Sequence, residues 1–130
     1  MAVRTTGSTS YRTWGRTPDV AYAHGSVVLA PASFKGGLQP YPVVSNANRP
    51  YFGEEYTVAV ITTRSRSEAV ELLESRLTDG RLVEFPSYAN PWSLHVVQHD
   101  EIRRRVAQVS DDVLEEVADR ADETLRPLSG

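Results

Sequence analysis

No cysteine occurs anywhere in this chain of 130 residues. Disulfides, thiolate nucleophiles and sulfur-ligated metals are therefore excluded, and the composition suits a reducing compartment. No apolar run approaches the roughly 18 residues that a membrane span needs. The opening segment, MAVRTTGSTSYRTWGRTP, has basic residues but no apolar stretch behind them. It does not read as a secretory signal, and a cytoplasmic protein is expected. A phosphate-binding glycine fingerprint is also missing, because Gly36-Gly37 stands alone and does not open a helix. His95 and His99 lie four apart with no convincing third ligand, so no metal site is expected, and no cofactor either.

What is present is a globular balance, with 40% hydrophobic and 24% charged residues, enough for one domain with a core. The net charge of −3 conceals an asymmetry. Residues 1–50 carry five arginines or lysines against the single acid Asp19, a net of +4. Residues 51–130 carry nine basic against sixteen acidic groups, a net of −7. The basic half can offer a phosphate-binding surface; an exposed polar tail beside an acidic helix explains the same numbers.

Residues 1–20 are rich in Thr, Ser, Arg and Gly and are expected to be a mobile tail, with Tyr11 and Trp14 able to dock on the body. Residues 21–130 form the expected domain. Ser26 to Ala30 is β-branched and ended by Pro31, as a strand would be. Pro40 and Pro42 lead to a short strand at Val43-Val44-Ser45. Tyr56 to Thr63 is the clearest strand, apolar enough to be buried on both faces. Residues 67–77 space their apolar groups as a short helix, with a loop and strand as the rival. Asp79-Gly80 marks a turn, and Leu82 to Phe85 and Ser93 to His99 suggest further strands. A terminal helix is expected at about 110–126, capped by Ser110, with Val113, Leu114, Val117, Ala118, Ala121 and Leu125 on one stripe. Several strands followed by one helix predict a mainly β fold, a small barrel closed by that helix.

Read together, Gly25-Ser26-Val27-Val28, Gly36-Gly37-Leu38-Gln39-Pro40, Val43-Val44-Ser45-Asn46 and Val60-Ile61-Thr62 follow one another over about 39 residues. Their order and spacing resemble the MazF/PemK type II toxin family. In that family a loop ends in Gly-Gly-x-Arg-Pro and a later strand finishes in Ile-Thr. Pro91-Trp92-Ser93 and the Asp100-Glu101-Ile102 step are similar to PemK-like relatives. The resemblance implies an SH3-like barrel of the CcdB/MazF type with a C-terminal helix, working as a homodimer. It also implies metal-independent cleavage of single-stranded RNA, and an antitoxin whose tail occupies the RNA groove.

Cleavage by the 2′-hydroxyl requires help in removing its proton, in steadying charge on the phosphorane and in protonating the leaving oxygen. The resemblance implies Thr62 for one hydroxyl donor, though Thr62 is also an ordinary strand residue. Gln39 stands where the family has arginine, and it can donate hydrogen bonds but brings no charge. Lys35, in the same loop, is the preferred substitute cation; Arg49, Arg64 and Arg66 are others. Thr62, Gln39 and Lys35 are thus the candidate catalytic residues, and Gly37, Ser45, Asn46, Arg64 and Trp92 the candidate RNA-binding ones. His95 is a secondary candidate for a base. Arg103-Arg104-Arg105 reads as a solvated face, with pairs such as Glu101 to Arg105. Trp92, Tyr51 and Phe52 can stack bases or fill a core. Because of Gln39 a non-catalytic barrel that binds nucleic acid or protein stays open beside the nuclease. A toxin of this architecture acting on another target, such as a topoisomerase, has no residue of its own in its favour.

Overall fold

A computed structural model describes residues 20–32, 36–82 and 87–128. Among them, strands β1 (Ser26–Pro31), β2 (Leu38–Pro42), β3 (Glu55–Thr62), β4 (Val70–Leu72), β5 (Leu77–Gly80), β6 (Ser87–Gln98) and β7 (Arg104–Val109) precede helix α1 (Asp111–Leu125). The strands form two antiparallel sheets, in the orders β2-β1-β7-β5 and β3-β6-β4. One isolated antiparallel bridge, Val43 to Val58, joins them. The fold is mainly β with a C-terminal helix, as expected from the sequence, but the described strands form two sheets joined at this bridge and not the closed barrel that was expected.

β1 and β3 are the strands on which both halves of the core converge. On β1, Val27 packs with Val70, Leu72, Ala107 and Val113, whereas its neighbour Val28 packs with Tyr41, Tyr56 and Val97. On β3, Val58 and Ala59 divide in the same way, and all four residues are fully buried. Successive strand side chains point to opposite faces, so adjacent buried residues mean a strand covered on both sides. Each fully buried valine contributes about 1.5–3 kcal/mol. The expectation of a doubly buried strand over Tyr56 to Thr63 holds at Tyr56, Val58 and Ala59; from Val60 the strand is half-buried and Thr63 is exposed, and the strand lies one residue earlier at each end.

Several local expectations differ. Residues 67–77 are not helical: Val70 and Leu72 are fully buried while Glu71 between them is exposed, a period of two. They pair with Ala89 and Ser87 of β6, and a 3-10 turn at Glu74–Arg76 follows. The strand expected at residues 43–45 lies earlier, at Leu38–Pro42. Its prolines are accommodated because β2 is the outer strand of its sheet and needs fewer N–H donors. Asp79 and Gly80 do not turn the chain but end β5, paired with Gln108 and Ala107. Leu82 lies outside any strand, and residues 83–86 lie outside the described ones. The strand expected from Ser93 begins at Ser87. The tail with Tyr11 and Trp14 lies outside the described residues, and Val20 is exposed.

α1 begins where the sequence suggests. The Ser110 carbonyl accepts from the Val113 and Leu114 amides, although the Ser110 side chain makes no capping bond. Val113, Leu114, Val117 and Ala121 are buried, whereas Ala118 and Leu125 of the expected stripe are exposed.

Two features invite stability measurements. The Tyr56 ring is fully buried; its hydroxyl accepts from the Tyr22 amide (3.1 Å) and meets His99 Nδ1 at 2.7 Å. Burial pushes the phenol above its ordinary value, so the native state holds it neutral. Its contribution is therefore full below the unfolded value near 10 and is lost as pH climbs through the folded one. Tyr56→Phe, which removes the hydroxyl from both contacts, is expected to cost about 1–3 kcal/mol in urea unfolding at pH 7. Gly80 has φ of +74°, and a Cβ there would stand 2.1 Å from the Val106 carbonyl oxygen. Gly80→Ala is expected to lose on the order of 1–3 kcal/mol from the backbone conformation alone, and more from the clash, read as a lowered unfolding midpoint.

Candidate functional site

The Val43–Val58 bridge decides what the end of β3 faces. The pairing is antiparallel, so four residues back from Val43 corresponds to four residues on from Val58. Those positions are Gln39 and Thr62. Beyond the bridge the two strands part, and a groove of about 970 Å³ opens there. Gln39 and Pro40 of β2, Ile61 and Thr62 of β3, and Leu29 of β1 line it. Gly36, Arg81 and Ser87 stand around it, and Arg104 and Arg105 of β7 form the far wall.

The cross-strand register explains that far wall. Leu29 is paired with Pro40 on one side and with Arg104 on the other. These three residues share one face of the sheet, and with strands 4.7–4.9 Å apart the outer two backbones lie about 10 Å from each other. A slip in pairing between Val27 and Val28 leaves Val106 without a partner on β1, which sets the phase that puts Arg104 opposite Leu29.

The groove is positive, with three arginines and no carboxylate among the described residues that line it. The arginines differ in what holds them. Arg105 Nη2 donates to both Asp79 carboxylate oxygens, at 2.9 and 2.7 Å. Arg81 approaches Glu74 at 3.9 Å, both side chains mostly exposed, a pairing of small worth. Among the described residues no ion pair or hydrogen bond engages the Arg104 side chain. At Thr62, Oγ1 accepts from the Arg64 amide at 3.1 Å. A hydroxyl accepting one bond retains its own proton to donate.

Of the residues singled out in the sequence, Gln39 and Thr62 line the groove together, and Gly37 is in the loop beside them, φ +90°, its carbonyl accepting from Ala32. Lys35 lies outside the described residues. Ser45 Oγ accepts from the Thr57 amide and Asn46 Oδ1 from the Asn48 amide, so both brace the chain away from the groove lining. Arg64 meets Thr62 through its backbone only. Arg49 is occupied by Thr57, Pro50 and Glu55.

Trp92 is not brought to the groove. It stands in a separate cleft of about 630 Å³ with Arg66, Asn90 and Arg120, where β6 bulges between Asn90 and Leu94 against β3. His95 is on β6 opposite Val58, while His99 is turned to Tyr56, and no metal-holding cluster occurs among the described residues. The pairing anticipated between Glu101 and Arg105 is absent: Glu101 accepts from the Gln98 amide and Arg105 is held by Asp79. The arginine run, read as a solvated face, puts Arg104 and Arg105 on the groove wall. The run is exposed throughout, and the period of two over Val106 to Val109 does not carry back to it, because Val106 has no partner on β1.

No helix of the described residues is long and apolar enough to cross a membrane. No family model matches the sequence, and no curated protein matches it. Solved structures do match in shape. A MazE–MazF complex from Deinococcus radiodurans aligns with a TM-score of 0.64 at 21% identity, over 82% of this chain and 97% of that one. An endoribonuclease in complex with its cognate antitoxin, from a mycobacterial species, aligns at 0.63 and 18%, over 84% and 98%. The Mycobacterium tuberculosis toxin MazF-mt6 aligns at 0.58 and 17%, over 75% and 93%. The chain carries a MazF-type fold.

Proposed function

We propose that this protein is a toxin endoribonuclease that cleaves single-stranded RNA without a metal ion. The observation that carries the reading is Gln39 and Thr62 meeting across a groove walled by arginines. An extended polyanion suits such a surface, and a groove open along its length admits a single strand. In the reaction the 2′-oxygen loses its proton and bonds to phosphorus. The bond from phosphorus to the 5′-oxygen breaks, and that oxygen takes up a proton. A 2′,3′-cyclic phosphate and a 5′-hydroxyl result, and no co-reactant is consumed. The Thr62 hydroxyl and the Gln39 amide donate to the non-bridging oxygens as charge builds there.

The structural neighbours with antitoxins bound support a partner of that kind for this chain, an antitoxin whose tail competes with RNA for the groove. A homodimer is part of the same reading, supported by Leu94 and Val96, which leave the β6 face apolar and 38% and 53% exposed. One observation favours a second reading: Gln39 brings no charge, which suits a barrel that binds RNA without cutting it.

Incubating the purified chain with single-stranded RNA in excess EDTA separates the two. Cleavage leaving 5′-hydroxyl ends is expected, with Thr62→Val slower by on the order of 10²-fold. Intact RNA with the wild type, and cutting only by Gln39→Arg, would establish the binding module instead. Placing lysine at both Leu94 and Val96 is expected to halve the mass seen by light scattering; an unchanged mass places the dimer contact elsewhere.

A further inference from the structure

The transition state gathers negative charge that two neutral donors, Thr62 and Gln39, leave uncompensated. A cation must therefore reach the same phosphate, and arginine is suited to it because its planar fork presents parallel N–H donors to two oxygens. Three arginines line the groove, and their surroundings separate them. Arg105 is committed to both oxygens of Asp79, so presenting it to phosphate would mean breaking that pair. Arg81 follows β5 at the rim, outside any strand and beside Glu74 at 3.9 Å, so no pairing fixes its backbone as it does that of Arg104. Arg104 is held on a paired strand opposite Leu29 and lines the same groove as Gln39 and Thr62. Its guanidinium has no competing partner among the described residues.

We propose that Arg104 is the catalytic cation of the groove, donating its guanidinium fork to the non-bridging oxygens of the scissile phosphate opposite Thr62 and Gln39. The assignment rests on the nuclease reading above. Arg104 stays protonated throughout; it neither takes the 2′-proton nor supplies the one that reaches the 5′-oxygen. The cation thus comes from the far wall, on β7, rather than from the loop before Pro40. A rigid strand also fixes its position more tightly than a loop would, which matters for a group whose contribution is electrostatic preorganisation.

Two readouts test this on the full-length chain. The first is single-turnover cleavage of an RNA oligonucleotide in EDTA. Arg104→Gln is expected to lower the rate at saturation by on the order of 10²–10³-fold. Arg104→Lys should recover part of that loss, and Gln39→Arg should recover part of it in the Arg104→Gln background. Arg103→Gln, next along the chain but outside the groove lining, should stay within about 3-fold of wild type. The second is binding of a 2′-O-methyl oligonucleotide, which cannot be cut, measured against salt concentration. Losing one phosphate contact on a single strand lowers the slope of log affinity against log salt by about 0.7. That change is expected for Arg104→Gln and not for Arg103→Gln, with thermal unfolding checking that both variants are folded. A wild type that cuts RNA beside an Arg104→Gln variant within about 3-fold of it overturns the proposal and leaves the nuclease reading standing. A wild type that binds without cutting, with the slope changed in Arg104→Gln, sinks the nuclease and the catalytic role while keeping the phosphate contact. An unchanged slope with no cutting removes both.

Discussion

The join between Val43 and Val58 is the contact on which the rest of the architecture depends. Both residues are fully buried, and backbone bonds flank the join: the Val43 amide donates to the Ser26 carbonyl and the Val44 amide to the Thr57 carbonyl. It ties the two sheets, beside the bond from the Thr57 amide to Ser45 Oγ. Because it is antiparallel, it also sets which residues oppose each other once the strands separate. A slip of one residue would turn alternate side chains to the wrong face and take Thr62 out of phase with Gln39. The site is in this sense a consequence of core packing several residues away.

The division of labour in the groove follows from the same packing. β1 is held between β2 and β7, and its inner residues are committed to two apolar clusters. Leu29 is only partly buried, and the row it forms with Pro40 and Arg104 lines the groove. Gly80 permits β5 to approach the β7 backbone where a side chain would not fit, and β5 in turn supplies the Asp79 that holds Arg105. The charge asymmetry of the sequence has a spatial counterpart only in part. Arg81, Arg104 and Arg105 of the groove all come from the acidic half of the chain. Local arrangement, not the charge of the first fifty residues, makes the groove positive.

Much of the fold was legible because its signals are local. The dense β-branched run at Tyr56 to Thr63 and the stripe Val113, Leu114, Val117 and Ala121 each report their own environment. The segment at residues 67–77 misled because Val70, Leu72 and Leu77 satisfy a helical spacing as well as an alternating one, and pairing with β6 settles the matter. That Thr62 and Gln39 line one groove was legible through the order of four short motifs. Arg104 was not, because reading its neighbourhood with a helical period pairs Glu101 with Arg105 and leaves the whole run to solvent. Trp92 was drawn to the site by its chemistry alone; the bulge that carries it to another cleft depends on register, which sequence does not display.

The central claim is that the groove between β2, β3 and β7 is where RNA lies. Backbone amide shifts recorded while titrating isotopically labelled protein with a 2′-O-methyl oligonucleotide test it directly. The largest changes should fall on residues 36–39, 61–63 and 104–106. Changes confined to Arg66, Ser67, Asn90 and Trp92, with the groove silent, would contradict the account and move the binding surface to the other cleft.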